Sequence, residues 1–227
     1  MKNFPSQGYV VVPELIKPSV IQKLQKAIEK IITSTSKHGI RNLAGKVREV
    51  KDLANSDIIK HVIQSYCGIK NINLIKATYF NKNIDHNWMV GWHQDKTISV
   101  QEKIAYPGFV NWTIKEGIFH VQPPLEILQS IITIRIHLTN TNQDNGALKV
   151  IPESHKMGIL SSQQITEFKT NHRITICNLK AGDALIMSPL LLHSSSRSKT
   201  EQNRQVIHLE YSSTNLPEKL QWNCLNL

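Results

Sequence analysis

The residues best suited to metal chemistry are a histidine and an aspartate two positions apart, His93 and Asp95. On a β-strand this spacing points both side chains to one face, so the two can bind one ion. A second histidine, His193, follows the apolar run 189–192, where we expect a strand to leave the core and present His193 at its edge. Two imidazoles and one carboxylate on one side of an ion form the ligand set of non-haem iron oxygenases, which leaves positions open for a co-substrate and O2. A His-x-Asp pair alone is more often a solvated surface pair, so its context decides.

Arg204 is a candidate anchor for a co-substrate of this metal. It follows His193 by eleven residues, after a polar loop, and precedes a segment that alternates in polarity like a returning strand. In a hairpin of this kind Arg204 points back into the same cavity, where its planar guanidinium can bind a carboxylate through paired hydrogen bonds. A keto acid that chelates the metal at one end needs such an anchor at the other.

The elements that position these residues are predicted to be mainly β-strands. From residue 72 onward, short β-type runs alternate with Gly, Asn and Pro, which is typical of an all-β sandwich or barrel rather than of repeated βαβ units. Strands are predicted at residues 8–12, 73–80, 131–138, 148–151, 184–187 and 206–211. Asp144-Asn145-Gly146 has the composition of a hairpin turn, and Gly182-Asp183 is a second predicted turn.

The first 70 residues are predicted to be mostly helical. Ser19 and Gln22 form a capping-box pattern at the start of a helix. Ile21, Leu24 and Ile28 follow at helical spacing and form an apolar stripe that needs a larger surface to pack on. A second helix is predicted at about residues 55–66. We therefore expect one domain over residues 1–227, in which a helical part (1–70) packs on a β core (71–222).

Residues 100–130 are predicted to form a long connection. The segment contains several Gly and Pro residues together with Trp112, and connections of this length inside a compact domain are usually functional or locally disordered. We expect a lid that excludes water from the site. Trp112 then either stacks on the substrate or holds the loop against the core.

The charge of the chain invites comparison with nucleic-acid-binding proteins. Its net charge is +10, and clustered Lys and Arg residues neutralise phosphates. The basic residues are scattered, however, with local density only at Lys23, Lys26 and Lys30. The pattern makes a nucleic-acid partner unlikely and favours a small-molecule substrate, which can be anionic.

The cysteines and the hydropathy suggest a cytoplasmic protein. Cys67, Cys177 and Cys224 are widely spaced and form no CxxC pair, so we expect free thiols in a reducing compartment. No apolar run approaches the roughly 18 residues of a membrane span, and residues 1–12 do not resemble a signal peptide. A membrane partner is therefore not expected.

Several motifs occur in an order that characterises one enzyme family. They are Phe80-Asn81-Lys82, Asn87-Trp88, Trp92-His93-Gln94-Asp95 with Thr97, Arg135-Ile136-His137-Leu138, Asp144-Asn145-Gly146-Ala147-Leu148, Ile151-Pro152-Glu153-Ser154-His155-Lys156-Met157-Gly158, Gly182-Asp183, and His193 with Arg204. Over about residues 8–222 the chain resembles the phytanoyl-CoA dioxygenase family of iron(II)/2-oxoglutarate oxygenases. The resemblance implies a double-stranded β-helix, the cupin-like jelly roll, with helices packed against one sheet.

The resemblance also implies roles for the residues singled out above. His93, Asp95 and His193 correspond to the iron ligands, and Arg204 corresponds to the residue that binds the distal carboxylate of 2-oxoglutarate. The family's usual Pro-Gly-Ser-His segment has Glu153 in place of the glycine here, which alters a turn but not the ligand set. Because Asp95 is present, the chain does not resemble the related halogenases, which lack that carboxylate.

Two further residues are candidate contacts of the co-substrate. Lys82 lies eleven residues before His93, where relatives often place a polar residue that contacts 2-oxoglutarate; the alternative is an exposed lysine. Thr97 continues the predicted inward face beyond Asp95 and is a candidate to hydrogen-bond the keto acid. Alternatively, Thr97 is only a β-favouring residue at a strand end.

Three residues are candidate substrate contacts, namely Gln94, Trp112 and Arg135. Arg135 lies in an Ile-rich segment, so an inward-pointing guanidinium would be a buried charge that needs a partner. That partner is an acidic substrate, the keto acid or a structural salt bridge. His208 is in phase with Arg204 and is either a supporting residue of the site or a hydrogen-bonded core histidine.

These observations predict a non-haem iron(II) dioxygenase that uses 2-oxoglutarate and O2, hydroxylates an unactivated C–H bond of a small metabolite, and releases succinate and CO2. Three alternatives stay open at this point: an inactive jelly-roll binding protein, a nucleic-acid demethylase of the same superfamily, and a zinc-dependent isomerase-type cupin. No spacing rule in the sequence decodes the substrate, the pathway or the oligomeric state.

Overall fold

The computed structural model describes residues 4–33, 39–217 and 219–223. The helices are α1 (Phe4–Gln7), α2 (Pro18–Glu29), α3 (Leu43–Lys46), α4 (Arg48–Ala54), α5 (Asp57–Cys67), α6 (Leu125–Gln129) and α7 (Ser162–Asn171), with a 3-10 turn at Ser154–Met157. The strands are β1 (Tyr9–Val12), β2 (Ile40–Arg41), β3 (Asn73–Lys82), β4 (Val90–His93), β5 (Ile98–Val100), β6 (Val110–Lys115), β7 (Ile118–Gln122), β8 (Ile131–His137), β9 (Leu148–Val150), β10 (Thr175–Ile176), β11 (Ala184–Met187), β12 (His193–Ser195) and β13 (Arg204–Ser212). Within the described part of the chain, none of these helices has the length and apolar character that crossing a membrane requires.

Two antiparallel sheets form the β core. The larger has the strand order β1-β11-β8-β13-β3-β2 and the smaller β10-β9-β12-β4. Leu148 and Val150 of the small sheet pack against Leu185 and Met187 of the large one in a shared apolar cluster. The two sheets therefore face each other, as the jelly-roll prediction requires.

Strand alternation gives the large sheet two different faces. On β8, Ile134 and Ile136 belong to the main core cluster together with residues of the helices, whereas Arg135 between them lines a cavity on the opposite face. On β13, Ile207 packs in the core and His208 lines the cavity. One face of the sheet thus builds the core, and the other builds a site.

The N-terminal helices pack on the apolar face of the large sheet. Their apolar stripe is confirmed, because Ile21, Leu24 and Ile28 of α2 are all buried. The capping box at Ser19 is wrong: α2 begins at Pro18, and its N-cap, Lys17, makes no side-chain capping bond. Proline at the first helical position needs no N–H partner and has a helical φ, so the helix begins there.

The N-terminal part also contributes strands to the large sheet. β1 pairs with β11, and β2 pairs with β3. The division into a helical part (1–70) and a β core (71–222) stays a prediction. Cys67 and Cys177 are free thiols, whereas Cys224 lies outside the described residues.

Residues 100–130 are not the irregular connection that the sequence predicts. They contain β6, β7 and α6, and the two strands form a three-stranded sheet with β5. Trp112 packs against the apolar cluster that contains Ile98, Phe109 and Val121. Regular hydrogen bonding and a separate apolar cluster therefore order the segment, and Trp112 holds the hairpin to that cluster.

Candidate active site

The two histidines and the aspartate singled out in the sequence lie together. His93 ends β4, His193 begins β12, and the two are register partners in the small sheet. The Asp95 carboxylate oxygens lie 3.6 Å from Nε2 of His93 and 3.6 Å from Nε2 of His193. One ligand atom from each of the three residues falls within 4.8 Å of the others. Three side chains from distant parts of the chain can thus bind one ion.

The local backbone differs from the predicted one, although the convergence holds. Asp95 follows the end of β4 rather than continuing it, and its N–H donates to the Pro189 carbonyl at 2.8 Å. His193 starts a strand instead of ending one. The segment from His193 to Arg204 is no hairpin, because β12 lies in the small sheet and β13 in the large one. The chain crosses from the small sheet to the large sheet there, so Arg204 lies on the sheet opposite the two histidines.

Backbone carbonyls orient both imidazoles. Nδ1 of His93 lies 2.9 Å from the Gly91 carbonyl, and Nδ1 of His193 lies 2.9 Å from the Leu191 carbonyl. A carbonyl oxygen can only accept a hydrogen bond, so each Nδ1 carries a proton and donates a hydrogen bond. Each Nε2 is then left with its lone pair directed toward Asp95, which is the tautomer that binds a metal.

Burial and charge favour the ligand form of His193 and Asp95, whereas the hydrogen bond and attraction of Asp95 outweigh burial and raise the pKa of His93. Burial lowers the pKa of His193 to about 4, despite the attraction of Asp95, and so keeps this imidazole neutral. Burial alone would raise the pKa of Asp95. His193 and His93 outweigh that effect and hold the pKa of the carboxyl well below its ordinary value. At neutral pH the cluster therefore offers a neutral His193 and an ionised carboxylate.

A cavity of about 130 Å³ opens beside the three residues, between the two sheets. Its walls carry several charged groups from the large sheet. The lining residues are Lys76, Phe80, Trp88, Val90, His93, Asp95, Arg135, Leu148, His193, Ser195, Arg204, His208 and Glu210. Both predicted arginines, Arg135 and Arg204, therefore face the space next to the histidine–aspartate cluster.

Arg204 and Lys82 are cross-strand partners at one end of this cavity. Arg204 Nη1 donates to the Gly146 carbonyl and, at 3.1 Å, to Ser195 Oγ. Lys82 Nζ donates to Ser195 Oγ at 2.8 Å and to the Ser196 carbonyl at 2.6 Å. Lys82 is fully buried, so the alternative of an exposed lysine is wrong. Its amine holds Ser195 and Ser196 in place beside the guanidinium.

The charged forms of Lys82 and Arg204 are both destabilised by their surroundings. Burial, with repulsion from Arg204 and Arg135, lowers the pKa of Lys82 to about 7. Burial, with repulsion from Arg135, lowers the pKa of Arg204 to about 9. Their hydrogen bonds go to neutral oxygens, so this end of the cavity favours an anion.

Arg135 lies at the other end, in a chain of polar side chains. Its Nη1 is 2.9 Å from Nδ1 of His208, Nε2 of His208 is 2.9 Å from Glu210, and Glu210 accepts from Lys76 at 2.7 Å. Because an arginine only donates, His208 Nδ1 accepts and its Nε2–H donates to Glu210. His208 thus lines the cavity beside Arg135 and is also a buried, hydrogen-bonded histidine, so both alternatives for it describe its position.

Lys82 contacts Ser195 of the cavity wall but does not itself line the cavity, and three further predicted contact residues do not line it either. Gln94 is buried, and its amide is used in bonds to the backbone of Gly158, Leu190 and Leu160. Thr97 lies in the irregular segment between β4 and β5, so the alternation that was to turn it inward is broken. Trp112 packs elsewhere, as described above. Side chains stop alternating between the two faces after His93 because the strand ends there.

Several residues of the site were missed by the sequence reasoning. Gly146 was assigned only to a turn, yet its carbonyl holds Arg204 and Ser195. A side chain at Gly146 would meet the Ser196 carbonyl at 2.6 Å, and its φ is +80°. Trp88, whose ring centroid is 5.4 Å from Lys82 Nζ, belongs to the Asn87-Trp88 motif. Only that motif and the Asn145-Gly146 pair hinted at these positions.

The residues present fit iron(II) and 2-oxoglutarate. Two imidazole nitrogens and a carboxylate are the donor set that leaves a metal open on one side. Nε of Arg135 and Nε of Arg204 are buried and have no partner among the described residues. Unpaired buried donors are costly, and a ligand with carboxylates supplies the missing acceptors. His93, Asp95 and His193 can thus hold the metal, and the unpaired guanidinium groups of Arg135 and Arg204 face the space where a carboxylate can bind.

Comparison with known proteins agrees with this chemistry. Residues 4–206 match the family model described as phytanoyl-CoA dioxygenase (PhyH). Methylphosphonate hydroxylase of Gimesia maris is 22% identical over 217 residues, which are 91% of this chain and 76% of the relative.

Solved structures share the fold. HygX from Streptomyces hygroscopicus, crystallised with nickel, 2-oxoglutarate and hygromycin B, has a TM-score of 0.68 at 15% identity, over 95% of this chain and 86% of that one. EctD from S. alaskensis in its apoform has a TM-score of 0.71 at 18% identity, over 95% and 77%. At these identities the likeness concerns the fold, and it confirms the predicted jelly roll.

Proposed function

Because the chain belongs to the phytanoyl-CoA dioxygenase family of iron(II)/2-oxoglutarate oxygenases, we propose that it hydroxylates an unactivated C–H bond of a small organic molecule. The observation that carries the proposal is the meeting of His93, Asp95 and His193 beside a cavity whose arginines lack acidic partners. When bound, iron(II) with 2-oxoglutarate and O2 supplies the oxidation, in which one oxygen atom enters the substrate and the keto acid becomes succinate and CO2.

In this proposal the protein holds and orients the reactants. Nδ1–H of each histidine is tied to a backbone carbonyl, so both rings are held with Nε2 available before metal arrives. Arg204 binds the distal carboxylate of 2-oxoglutarate, and Gly146 with Ser195 fixes the guanidinium in position. Lys82 adds positive charge at the same end. Buried wall residues such as Leu148 and His208 limit the contact of water with bound reactants.

The substrate is proposed to be a small molecule that enters the cavity between the sheets. Cavities that enclose drug-sized ligands measure about 300–1,000 Å³, whereas this cavity measures about 130 Å³. The relative's name, methylphosphonate hydroxylase, makes small organic acids the first compounds to test.

The test is the conversion of 2-oxoglutarate to succinate by protein purified without oxygen and loaded with iron(II). We expect succinate in the presence of O2 and iron, and none with zinc. His193→Ala should abolish it, whereas the matched control His61→Ala, at an exposed position on α5, should not. If iron-loaded wild-type protein forms succinate no faster than His193→Ala does, the result contradicts the proposal.

A further inference from the structure

The positive charge around the cavity exceeds what the proposed co-substrate neutralises, and the inference drawn from this excess rests on the proposed function. Glu210 is bonded to Lys76 at 2.7 Å, and Asp95 faces the two histidines. Among the described residues, no carboxylate lies within 4.0 Å of the charged nitrogens of the other three cations around the cavity, which are Lys82, Arg135 and Arg204.

Bound 2-oxoglutarate neutralises part of the positive charge of these cations and of iron(II). The carboxylate of 2-oxoglutarate that binds the metal and the carboxylate of Asp95 together match the two charges of iron(II). The distal carboxylate is assigned to the end of the cavity that holds Arg204 and Lys82. The charge of Arg135 stays unmatched, because a guanidinium does not lose its proton in proteins.

The environment of Arg135 is built for a ligand rather than for a salt bridge. The residue is only 7% exposed and lines the cavity together with the histidine–aspartate cluster. Its Nη1 donates to a neutral acceptor, Nδ1 of His208, and its guanidinium lies 5.8 Å from the Phe80 ring centroid. Its Nε has no partner among the described residues. His208 thus holds the guanidinium in place and leaves its charge uncompensated.

We propose that the substrate carries an oxyanion, either a carboxylate or a phosphonate, that binds Arg135 while its neighbouring C–H group faces the metal ligands. Arg135 is then a substrate-binding residue, distinct from Arg204. A planar guanidinium binds both kinds of oxyanion through paired hydrogen bonds. The size of the cavity restricts the substrate to small organic acids or to the acidic end of a larger molecule.

The first measurement is substrate binding to anaerobic, iron-loaded protein saturated with 2-oxoglutarate. The probes are propionate, ethylphosphonate and propionamide, where propionamide is the neutral counterpart of propionate. We expect at least one acid to bind tenfold or more tightly than propionamide, and the better acid identifies the head group. Propionamide binding as tightly as both acids overturns the proposal.

The second measurement assigns the anion to Arg135. In Arg135→Gln, the affinity for the acid should fall by roughly 10- to 100-fold, as expected for loss of a charged hydrogen-bond donor, while 2-oxoglutarate affinity changes by less than about threefold. Arg135→Lys should recover part of the loss, and Arg173→Gln, at an exposed position, should match wild type.

Two outcomes separate this proposal from the one on which it rests. We expect Arg135→Gln to weaken 2-oxoglutarate binding much less than Arg204→Gln does. If both variants lose 2-oxoglutarate affinity equally, Arg135 belongs to the co-substrate site and the substrate assignment is overturned. Wild-type protein that binds no 2-oxoglutarate overturns the proposed function itself, and the assignment with it.

Discussion

The two faces of the large sheet are built from the same strands but meet different demands. The face toward the helices carries Ile134, Ile136 and Ile207, all fully buried in one apolar cluster. The face toward the small sheet carries Arg135 and Arg204, which are also buried but lack carboxylate partners among the described residues. Apolar burial stabilises the fold, whereas buried unpaired cations destabilise it. The unpaired arginines of the second face therefore indicate a site whose charges are neutralised by bound anionic ligands.

The largest expected effect comes from the helix-facing side. Ile134→Ala removes buried atoms from the centre of the core and leaves a cavity, so it should lower the free energy of unfolding by about 2–5 kcal/mol. Urea denaturation measures this loss, with Ile58→Ala at an exposed position on α5 as the control. Iron bound per folded chain should not change. A loss of iron without a loss of stability would reverse the roles assigned to the two faces.

Next in size is the metal cluster. Asp95→Ala removes the only carboxylate of the described cluster, and iron affinity should fall by at least about 100-fold, since even loss of a residue that supports a ligand costs 10- to 100-fold. Metal analysis after equilibrium dialysis checks this. Asp85→Ala, at an exposed position, is the control. Full iron content in the Asp95 variant would place the metal elsewhere.

The cavity-facing side should respond in the opposite sense from the core. Arg204→Met removes a buried cation, so the ligand-free protein should keep its unfolding free energy or gain about 1 kcal/mol. The dissociation constant of 2-oxoglutarate should rise by roughly 10- to 100-fold, with iron retained. Calorimetry and denaturation on the same variant test both parts. A loss of several kcal/mol in stability would mean that Arg204 is structural.

Lys82 links this contrast to pH. Because burial, with Arg204 and Arg135, lowers its folded pKa to about 7 from an ordinary value of 10.5, the unfolded chain binds a proton between these values that the folded chain has lost. The contribution of Lys82 to the free energy of unfolding therefore rises with pH between about 7 and 10.5. Lys82→Met should lack this rise, in denaturation series at several pH values. Parallel pH profiles for the two proteins would contradict the assignment.

The smallest effect is expected outside both faces, at Glu153. This residue has a φ of +69°, in the left-handed region that favours glycine, in the segment where the family's usual residue is glycine. Its side chain makes an exposed ion pair with Lys156, which contributes little. Glu153→Gly should therefore raise the melting temperature slightly without changing iron or 2-oxoglutarate binding. A clear fall in melting temperature would show that the ion pair outweighs the backbone strain.

The sequence predicted the parts of the fold that depend on periodicity. The strand predicted at 184–187 is β11, and those at 131–138 and 206–211 lie within one or two residues of β8 and β13. Arg204 faces the cavity as predicted, although it was placed there by a hairpin that the structure does not form. Arg135 lines the same cavity, which was one of the alternatives left open for it. Periodicity works here because each strand must bury one face against the helices and turn the other toward the small sheet.

The parts that were missed depend on irregular backbone. Thr97 was placed by alternation past the end of β4, where alternation no longer applies. The role of the Gly146 carbonyl depends on a positive φ and on a loop that crosses between sheets. Trp112 was assigned to a lid because the several Gly and Pro residues of its segment are typical of loops. The segment instead forms the hairpin of β6 and β7. Tertiary contacts decide these positions, and local sequence does not encode them.

The central claim is that His93, Asp95 and His193 hold one iron while Arg204 holds the far end of 2-oxoglutarate. A crystal structure of the protein grown without oxygen, with iron(II) and 2-oxoglutarate, tests it most directly through anomalous scattering at the iron edge. We expect one iron peak in contact with both Nε2 atoms and the Asp95 carboxylate, and a keto acid whose distal carboxylate contacts Arg204. An iron peak away from these three side chains, or a distal carboxylate bound elsewhere, would contradict the account.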